Sequence, residues 1–487
     1  LEKRRITLDD DANGDNQALF EDLNVFFPRP GLSTANFFRG GDTITGLTGV
    51  LDYSFSQYRL RPVLTEFDYT FQADNPRPDT PEDVGGSLKV VSANVLNYFS
   101  TVDNGSSICS PSESMECRGA DSIQELERQT AKLTAALCEI DGDIVGLGEI
   151  ENDASGSGSL DALVGALNGA GCGTYAYVDA GPLGDDAIKV ALIYKASSVT
   201  PVAQQTFVVD NSVDAAYEDG RNRPTLVQVF EEQASGERVI VAAHHLKSKG
   251  SSCDDIGDPD LNDGQGNCAG TRATAAGIIA DFIASDVIPG AGTDRVLVIG
   301  DLNAYKREDA VMEYTGRGYV DLIEAVNGNE AYSYVFDGRL GYLDHALGLN
   351  VADVVTGVTE WHINADEINL LDYNDDVLDS SERNFEEEPD NLPLFDEFDP
   401  GPFRSSDHDP VVIGLDLGPA VVDVPGDLDD DGDVDTADYR LFRGVYGRPA
   451  GSSALAAEVD YNGNGRVDSS DLATWRRYYR DYRIQNR

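Results

Sequence analysis

Lysine is scarce in this sequence. Only eight of its 36 basic residues are lysine, and 87 acidic residues bring the net charge to −51 over 487 residues. A surface this acidic repels polyanions at low salt. The repulsion is screened once the Debye length falls to roughly 3–4 Å, at about 0.5–1 M salt, which points to a marine or saline setting. Long apolar runs are also missing: no stretch reaches the about 18 consecutive apolar residues that a bilayer crossing takes. No leader of basic, apolar and small residues opens the chain. Leu1-Glu2-Lys3-Arg4 starts mid-pattern, as a trimmed product or the scar of a secretion leader does. The six cysteines show no CxxC or CxxH spacing, which favours disulfides over zinc. Proximity pairs Cys109 with Cys117, Cys138 with Cys172 and Cys253 with Cys268, one of several connectivities that six cysteines allow. The acidic, Gly-rich loop 253–268 has no packing of its own and gains from a staple. Disulfides imply an oxidising compartment, hence a secreted protein.

Composition then divides the chain. Residues 1–74 read as short strands (ITLDD, DTITGLTGVLDY, YRLRPV) broken by Gly, Asn and Pro. Residues 75–86 (NPRPDTPEDVGG) read as a linker. From 87 to 417 strand-like runs alternate with helices, the pattern of a layered body with helices packed outside sheets. The first helix steps by three and four along Ile123, Leu126, Thr130, Leu133 and Leu137, predicting that this face is buried. Residues 418–426 form a second linker, and 427–485 contain an internal repeat.

The repeats are DLDDDGDVDTAD and DYNGNGRVDSSD, each fitting D-x-[DN]-x-[DN]-G with an acid at position twelve. That pattern supplies calcium with Asp427, Asp429, Asp431, Asp435 (through water) and Asp438 in the first loop. In the second it offers Asp460, Asn462, Asn464, Asp468 and Asp471. Gly432 and Gly465 permit the sharp turn at position six. A helix follows each loop, the twelfth ligand is Asp rather than Glu, and no entering helix precedes the first loop. The tail resembles a dockerin, the paired loop–helix module that docks on cohesin domains. The resemblance implies Ca2+-dependent folding, a cohesin or cell-surface partner, and partner-reading positions at Thr436-Ala437 and Ser469-Ser470.

In the central region polar residues follow apolar strands. Glu149 ends GLGEIEND; Asp301 and Asn303, two apart and so on one side of an extended chain, end VLVIGDLNAY; Asp407 and His408 precede PVVIGL. A hard divalent cation takes one or two carboxylates and keeps several waters, so this set suits metal-assisted hydrolysis of a phosphodiester. Singly, each residue also reads as a strand cap or a structural histidine.

Taken in order, SANVLN, GLGEIEN, HHLKSKG, GDLNAY, YLDHAL and SDHDPV resemble the endonuclease/exonuclease/phosphatase superfamily, the DNase I-like fold, over residues 88–417. ICSPSESMECRGADS, GRNRPTL and WHINADE with LDYN resemble the ExeM/NucH type of bacterial extracellular nuclease. The resemblance implies an α+β fold: a two-sheet sandwich with helices outside, preceded by a small OB-like β domain at 1–74 whose usual upstream portion is missing. It implies a secreted DNase, an endonuclease that also takes RNA, dependent on Mg2+ or Mn2+ and acting as a monomer. By position, Glu149 and Asn94 bind the metal with Asp407 on its flank. His408 is the general base oriented by Asp344, and Asp301 and Asn303 position phosphate, water or a second metal. His245 protonates the leaving group or binds a phosphoryl oxygen, with His244 in support. Gly148 stands where the superfamily commonly has Gln.

Arg221, Arg223, Lys247 and Lys249 are rare cations beside these motifs, either phosphate contacts for DNA or ordinary ion pairs. Lys189 reads as a strand residue, and His345 and His362 as structural. Two other readings stay open at this level: another phosphoesterase of the same fold (a sphingomyelinase or nucleotide phosphatase), or a non-catalytic calcium-dependent binding component.

Overall fold

A computed structural model describes residues 5–9, 37–63, 69–153, 158–374, 400–418, 425–428 and 434–485. The expectations for Lys3-Arg4 and for Asp429, Asp431 and Gly432 lie outside the described residues. The chain divides into two compact units, residues 1–233 with 237–415, and residues 234–236 with 416–487.

The first unit begins with short strands β1 (Thr7–Leu8), β2 (Thr43–Thr45), β3 (Gly49–Ser54), β4 (Gln57–Pro62) and β5 (Thr70–Gln72). They form a three-stranded sheet in the order β1-β4-β3 and a β2-β5 pair. Two six-stranded sheets follow. The first contains β6 (Leu88–Tyr98), β9 (Ile144–Glu151), β10 (Tyr175–Tyr177), β11 (Ile188–Lys195), β20 (Val355–Glu360) and β21 (Val411–Leu415), in the order β10-β11-β9-β6-β21-β20. The second contains β12 (Val199–Val209), β13 (Thr225–Glu232), β14 (Arg238–His245), β15 (Val296–Asp301), β16 (Val320–Asp321) and β19 (Asp344–Leu349), in the order β12-β13-β14-β15-β19-β16. Hairpins β7-β8 (Ser107–Cys109, Met115–Glu116) and β17-β18 (Tyr334–Phe336, Arg339–Gly341) flank them. Each large sheet holds one parallel pair, β6 with β9 and β14 with β15.

Alternation along the strands sends neighbours to opposite faces. In the first sheet Val91, Val145, Leu147 and Ile193 share a core with Leu133, Leu137 and Ile140 of α1 (Ile123–Ile140) and Leu163 of α2 (Ser159–Ala170). In the second, Val229, Ile240, Val296 and Val298 pack on Ala275, Ile279 and Ile283 of α3 (Ala269–Ala291) and Val311 of α4 (Asp309–Thr315). The remaining faces meet each other. A Cβ on Gly146 would lie 2.8 Å from Ile299, and the Tyr194 and Phe230 rings are 5.7 Å apart. The result is the mixed α+β two-sheet sandwich with helices outside that the sequence implies. Helix α3 is by length and composition long and apolar enough to cross a membrane, yet its inner face is this core.

The buried face of α1 matches the expectation at Leu133 and Leu137 and departs from it at its first turn. Ile123 is 57% exposed, while Gln129 and Lys132 are buried. Helix α1 is capped by Ser122, whose side chain accepts from Glu125 N, while the Glu125 carboxylate accepts from Asp121 N just before the cap. All three expected disulfides are present: Cys109–Cys117, Cys138–Cys172 and Cys253–Cys268. Segment 75–86 lies along the first sheet: Pro78 O accepts from Trp361 Nε1 (3.2 Å), and Val84 is 4% exposed.

The first unit also contains α5 (Leu322–Asn327); the described helices of the second are α6 (Thr436–Val445), α7 (Ala454–Glu458) and α8 (Ser469–Gln485). They close over Val434, Phe442, Val459, Val467 and Trp475. Trp475 Nε1 donates to Gly426 O at 2.8 Å, tying the module's start to its last helix.

Candidate active site

The strand register brings the expected residues together. In the second sheet His245 pairs with Asp301, and Asp301 with Asp344, one row across three strands. Cross-strand partners point to the same face, so these three side chains are neighbours. The adjacent row is His244, Gly300 and His345, which alternation sends to the opposite face. His244 accordingly lies buried near the Tyr314 ring, 6.2 Å between centroids, with neither ring nitrogen hydrogen-bonded. Burial pushes it down to about 3, so it is neutral. His345 is fully buried, Nε2 2.8 Å from Ala304 O.

The first sheet brings in Asn94 and Glu149 where β6 and β9 become irregular. Lys189 faces Ile150 and Ala191 faces Leu147, so Gly148 and Glu149 together oppose Val190. Asn94 faces Gly148 and Tyr98 faces Ile150, leaving Val95–Asn97 against Glu149. Leu96, Asn97, Glu149 and Asn303 all have positive φ, from 49° to 66°. Left-handed backbone at non-glycine residues costs about 1–3 kcal/mol each and gathers at functional sites. Here the bulges re-aim Glu149 out of the strand alternation. Gln129 of α1 holds the outer bulge, donating to Val95 O (3.2 Å) and Leu96 O (2.8 Å).

The geometry is compact. His408 Nδ1 lies 2.6 Å from Asp344 Oδ2, which also accepts from Ser333 Oγ at 2.8 Å. His408 Nε2 is 4.0 Å from Asp407 Oδ2, and the Tyr334 ring lies 4.6 Å from the imidazole. His245 Nε2 is 3.6 Å from Asp301 Oδ2 and 3.8 Å from Glu149 Oε1. Asp301 is fixed by Asn303, through its backbone N (2.5 Å) and side-chain Nδ2 (2.9 Å). A Cβ on Gly148 would meet only Asn94 Cα and His245 Nδ1, at 3.9 and 4.0 Å.

Burial pushes Asp301 up to about 7, with the Asp344 charge adding to it and His408 opposing. Burial and the Asp407 charge raise Glu149. Burial lowers His408, but Asp344 and Asp407 outweigh it and hold the imidazole well above its ordinary value. Burial and the charge of Arg223 keep His245 well below its own.

Among the described residues no group of three or more His, Cys, Asp and Glu converges tightly enough to hold a metal by itself. The donor set nonetheless fits a hard divalent cation. One raised carboxylate, Glu149, and one amide, Asn94, sit at the bulges of neighbouring strands, with Asp407 acting on Glu149. That is the sparse, water-completed shell such an ion prefers.

Of the expected cations, Arg221 pairs with Asp255, and Lys249 with Glu308 while lying 4.7 Å above the Tyr305 ring. Arg223 pairs with Asp186 at 2.9 Å, and Arg118 shares that carboxylate at 2.7 Å. Lys247 is half-buried; burial and Arg223 lower it, and Arg221 and Arg118 add to this. Lys189 is buried in β11 and donates to Asp153 O. Ser333, Tyr334, Gln129, Arg118 and Asp186 were not singled out from the sequence, since each acts on a partner distant along the chain.

In the tail, Asp438 accepts from Leu428 N and Asp435 N, both at 2.6 Å, and Asp435 accepts from Ala437 N. Asp427 begins this loop. In the second loop Asp460 accepts from Asn464 N (3.1 Å) and Gly465 N (2.8 Å). Asn464 reaches Asp468 at 3.1 Å, and Asp471 accepts from Asn462 N (3.3 Å) and Asp468 N (2.8 Å). The oxygens of one loop thus face its own turn. Thr436, Ser469 and Ser470 are exposed and Ala437 is half-buried.

The family model for the dockerin type I domain matches residues 425–479. No curated protein matches the chain. Among solved structures, the chain is similar to an endonuclease/exonuclease/phosphatase from Bacteroides vulgatus (14% identity, TM-score 0.40, covering 68% of this chain and 98% of that one). It is similar to the human Nocturnin catalytic domain with bound sulfate (12%, 0.39, 67% and 93%). A third is a mannosyl-6-phosphatase from Bacteroides thetaiotaomicron (15%, 0.38, 67% and 99%).

Proposed function

We propose that this chain is a secreted, divalent-metal-dependent phosphodiesterase that hydrolyses nucleic acid, an endonuclease cutting DNA and also RNA. On this reading residues 87–417 are the catalytic domain, 1–74 an OB-like β domain, and 427–485 a Ca2+-binding module for a cohesin or cell-surface partner. The observation that carries the proposal is the row His245, Asp301, Asp344 in one sheet facing Glu149 from the other, with His408 hydrogen-bonded to Asp344.

Glu149 and Asn94, with Asp407 on the flank, would hold Mg2+ or Mn2+, which would neutralise charge on the phosphoryl oxygens. His408 takes the proton of the attacking water at Nε2. Its Nδ1 is committed to Asp344, which fixes the tautomer and favours the imidazolium that forms. Asp301 and Asn303, locked to each other, orient the phosphate and the water. His245, kept neutral by burial and Arg223, offers an Nε2–H to a phosphoryl oxygen or to the leaving group. Arg223 and Lys247, joined by Arg118, form a positive rim for flanking phosphates. Arg223 and Arg118 share the single carboxylate of Asp186 and leave a net positive charge, whereas Arg221 and Lys249 are each matched one-to-one by a carboxylate and are the weaker phosphate contacts.

The test is turnover of plasmid DNA, RNA, sphingomyelin and a nucleotide monoester at equal enzyme, each with Mg2+, Mn2+ and EDTA. The proposal expects metal-dependent cleavage of the nucleic acids above the other substrates. Faster release of phosphate from the monoester, or of phosphocholine from sphingomyelin, contradicts it.

A further inference from the structure

The segment Trp361–Glu367 lies between the loop that carries the base and residues far upstream. On the base side, Asn364 donates to His408 O at 2.7 Å, and its Oδ1 accepts from Ser405 N (2.9 Å) and Ser406 N (3.2 Å). Asp409, 1% exposed, accepts through Oδ1 from Ile363 N (3.0 Å), Asn364 N (2.8 Å) and Ala365 N (3.0 Å). Its Oδ2 lies 2.9 Å from His362 Nδ1. Two side chains thus lock the segment to the backbone on which His408 sits.

The upstream side is ionic and equally buried. Arg39 pairs with Glu367 at 3.0 Å and Asp366 at 3.4 Å, and all three side chains are under 5% exposed. Arg39 also donates to Asn75 O and to His362 O. Arg77 pairs with Glu367 at 2.8 Å, its guanidinium 4.2 Å from the Phe403 ring centroid. Tyr332 stacks on His362 (3.8 Å, 6°) and donates to Asp366 at 2.7 Å. Its neighbour Ser333 holds Asp344 and accepts from Asp409 N at 2.8 Å. A desolvated guanidinium between two carboxylates is costly relative to apolar packing, and its best-attested use is to fix a register.

We propose that Arg39 is a positioning residue for the reaction. Through Glu367 and Asp366 it sets segment 361–367, and Asn364 and Asp409 pass that setting to His408, keeping it in register with Asp344. The upstream region is then part of the catalytic machinery. The inference rests on His408 being the base.

The test compares Arg39→Gln, which leaves Glu367 its Arg77 partner, Arg39→Lys, and the double variant Arg39→Met/Glu367→Gln, which removes the clamp from both sides. Steady-state turnover of plasmid DNA, the melting temperature, and the His408 Nδ1 proton resonance in histidine-labelled protein are measured. The expected result is a kcat reduced about 10–100-fold with KM within about twofold, partial recovery in Arg39→Lys, and a shifted His408 resonance in a protein that still melts cooperatively. Wild-type turnover and an unmoved resonance in a folded Arg39→Gln or double variant overturn the proposal. If the wild type cleaves no substrate, the reading of His408 as base fails, and the resonance alone decides whether Arg39 positions the ring.

Discussion

His408 and Asp344 separate two contributions that are often merged, orientation and basicity. Asp344 holds the ring at 2.6 Å and, with Asp407, keeps its pKa well above the ordinary value against the pull of burial. A base must be unprotonated, so activity is lost as pH falls through that pKa. Removing the carboxylate lowers the pKa, so the acid limb of the pH–rate profile for Asp344→Asn moves to lower pH while the plateau drops about 10³-fold or more. A plateau drop with no movement of the limb, or movement to higher pH, contradicts this assignment. The Arg118–Asp186–Arg223 group makes a second prediction, this time on stability. Burial raises Asp186, but Arg223 and Arg118 outweigh it and depress the folded value. Its contribution is therefore complete above the unfolded value of about 3.9 and is lost as pH falls through the lower folded one. In urea titrations the stability gap between wild type and Asp186→Asn stays constant above about pH 5 and closes below about pH 4. A gap that widens on acidification shows that the pair does not act this way.

At the scale of elements, the site depends on irregular strand ends. Gly300 has φ +128°, and a Cβ there would lie 2.1 Å from His244 O. Gly300→Ala should cost about 1–3 kcal/mol and displace Asp301, seen as a lower urea midpoint together with reduced turnover. Unchanged stability shows that the strand end relaxes freely. The ends themselves were legible: a carboxylate or histidine after an apolar run marks them, and period two separates His245 from His244 once one of them is placed. The apolar stripe of α1 was legible at Leu133 and Leu137, but not the buried Gln129 and Lys132, which hold the carbonyls of Val95, Leu96 and Phe403. Ion partners were not legible at all. Arg223 and Asp186 are 37 residues apart, and Arg39 and Glu367 are 328 apart, so neither pair leaves a local pattern. Segment 361–367 stood out as a motif, but its meaning lies in those distant contacts.

For the molecule as a whole, the charge of −51 and the proposed binding of a polyanion pull in opposite directions. The positive rim of Arg118, Arg223 and Lys247 acts only over short range, while the global repulsion is screened by salt. Plasmid cleavage should therefore rise as salt increases from about 0.05 to about 0.5 M, the reverse of the fall that counterion release imposes on a basic nuclease. A monotonic fall contradicts the reading of a saline setting. The dockerin module predicts a separate dependence on calcium. Its two loops carry oxygen-bearing side chains at the spacing of a calcium loop, so chelation should unfold residues 427–485 and abolish partner binding, detectable as loss of helical circular dichroism restored by Ca2+. An unchanged spectrum argues against calcium-coupled folding. The central claim is metal-dependent phosphodiester hydrolysis at the Glu149–His408 site. It is tested most directly by nicking of supercoiled plasmid by wild type, Glu149→Gln and His408→Ala, with Mg2+ or with EDTA. The account predicts nicking by wild type with Mg2+ alone and a loss of about 10²-fold or more in each variant. Nicking that persists in EDTA, or in both variants at the wild-type rate, would contradict it.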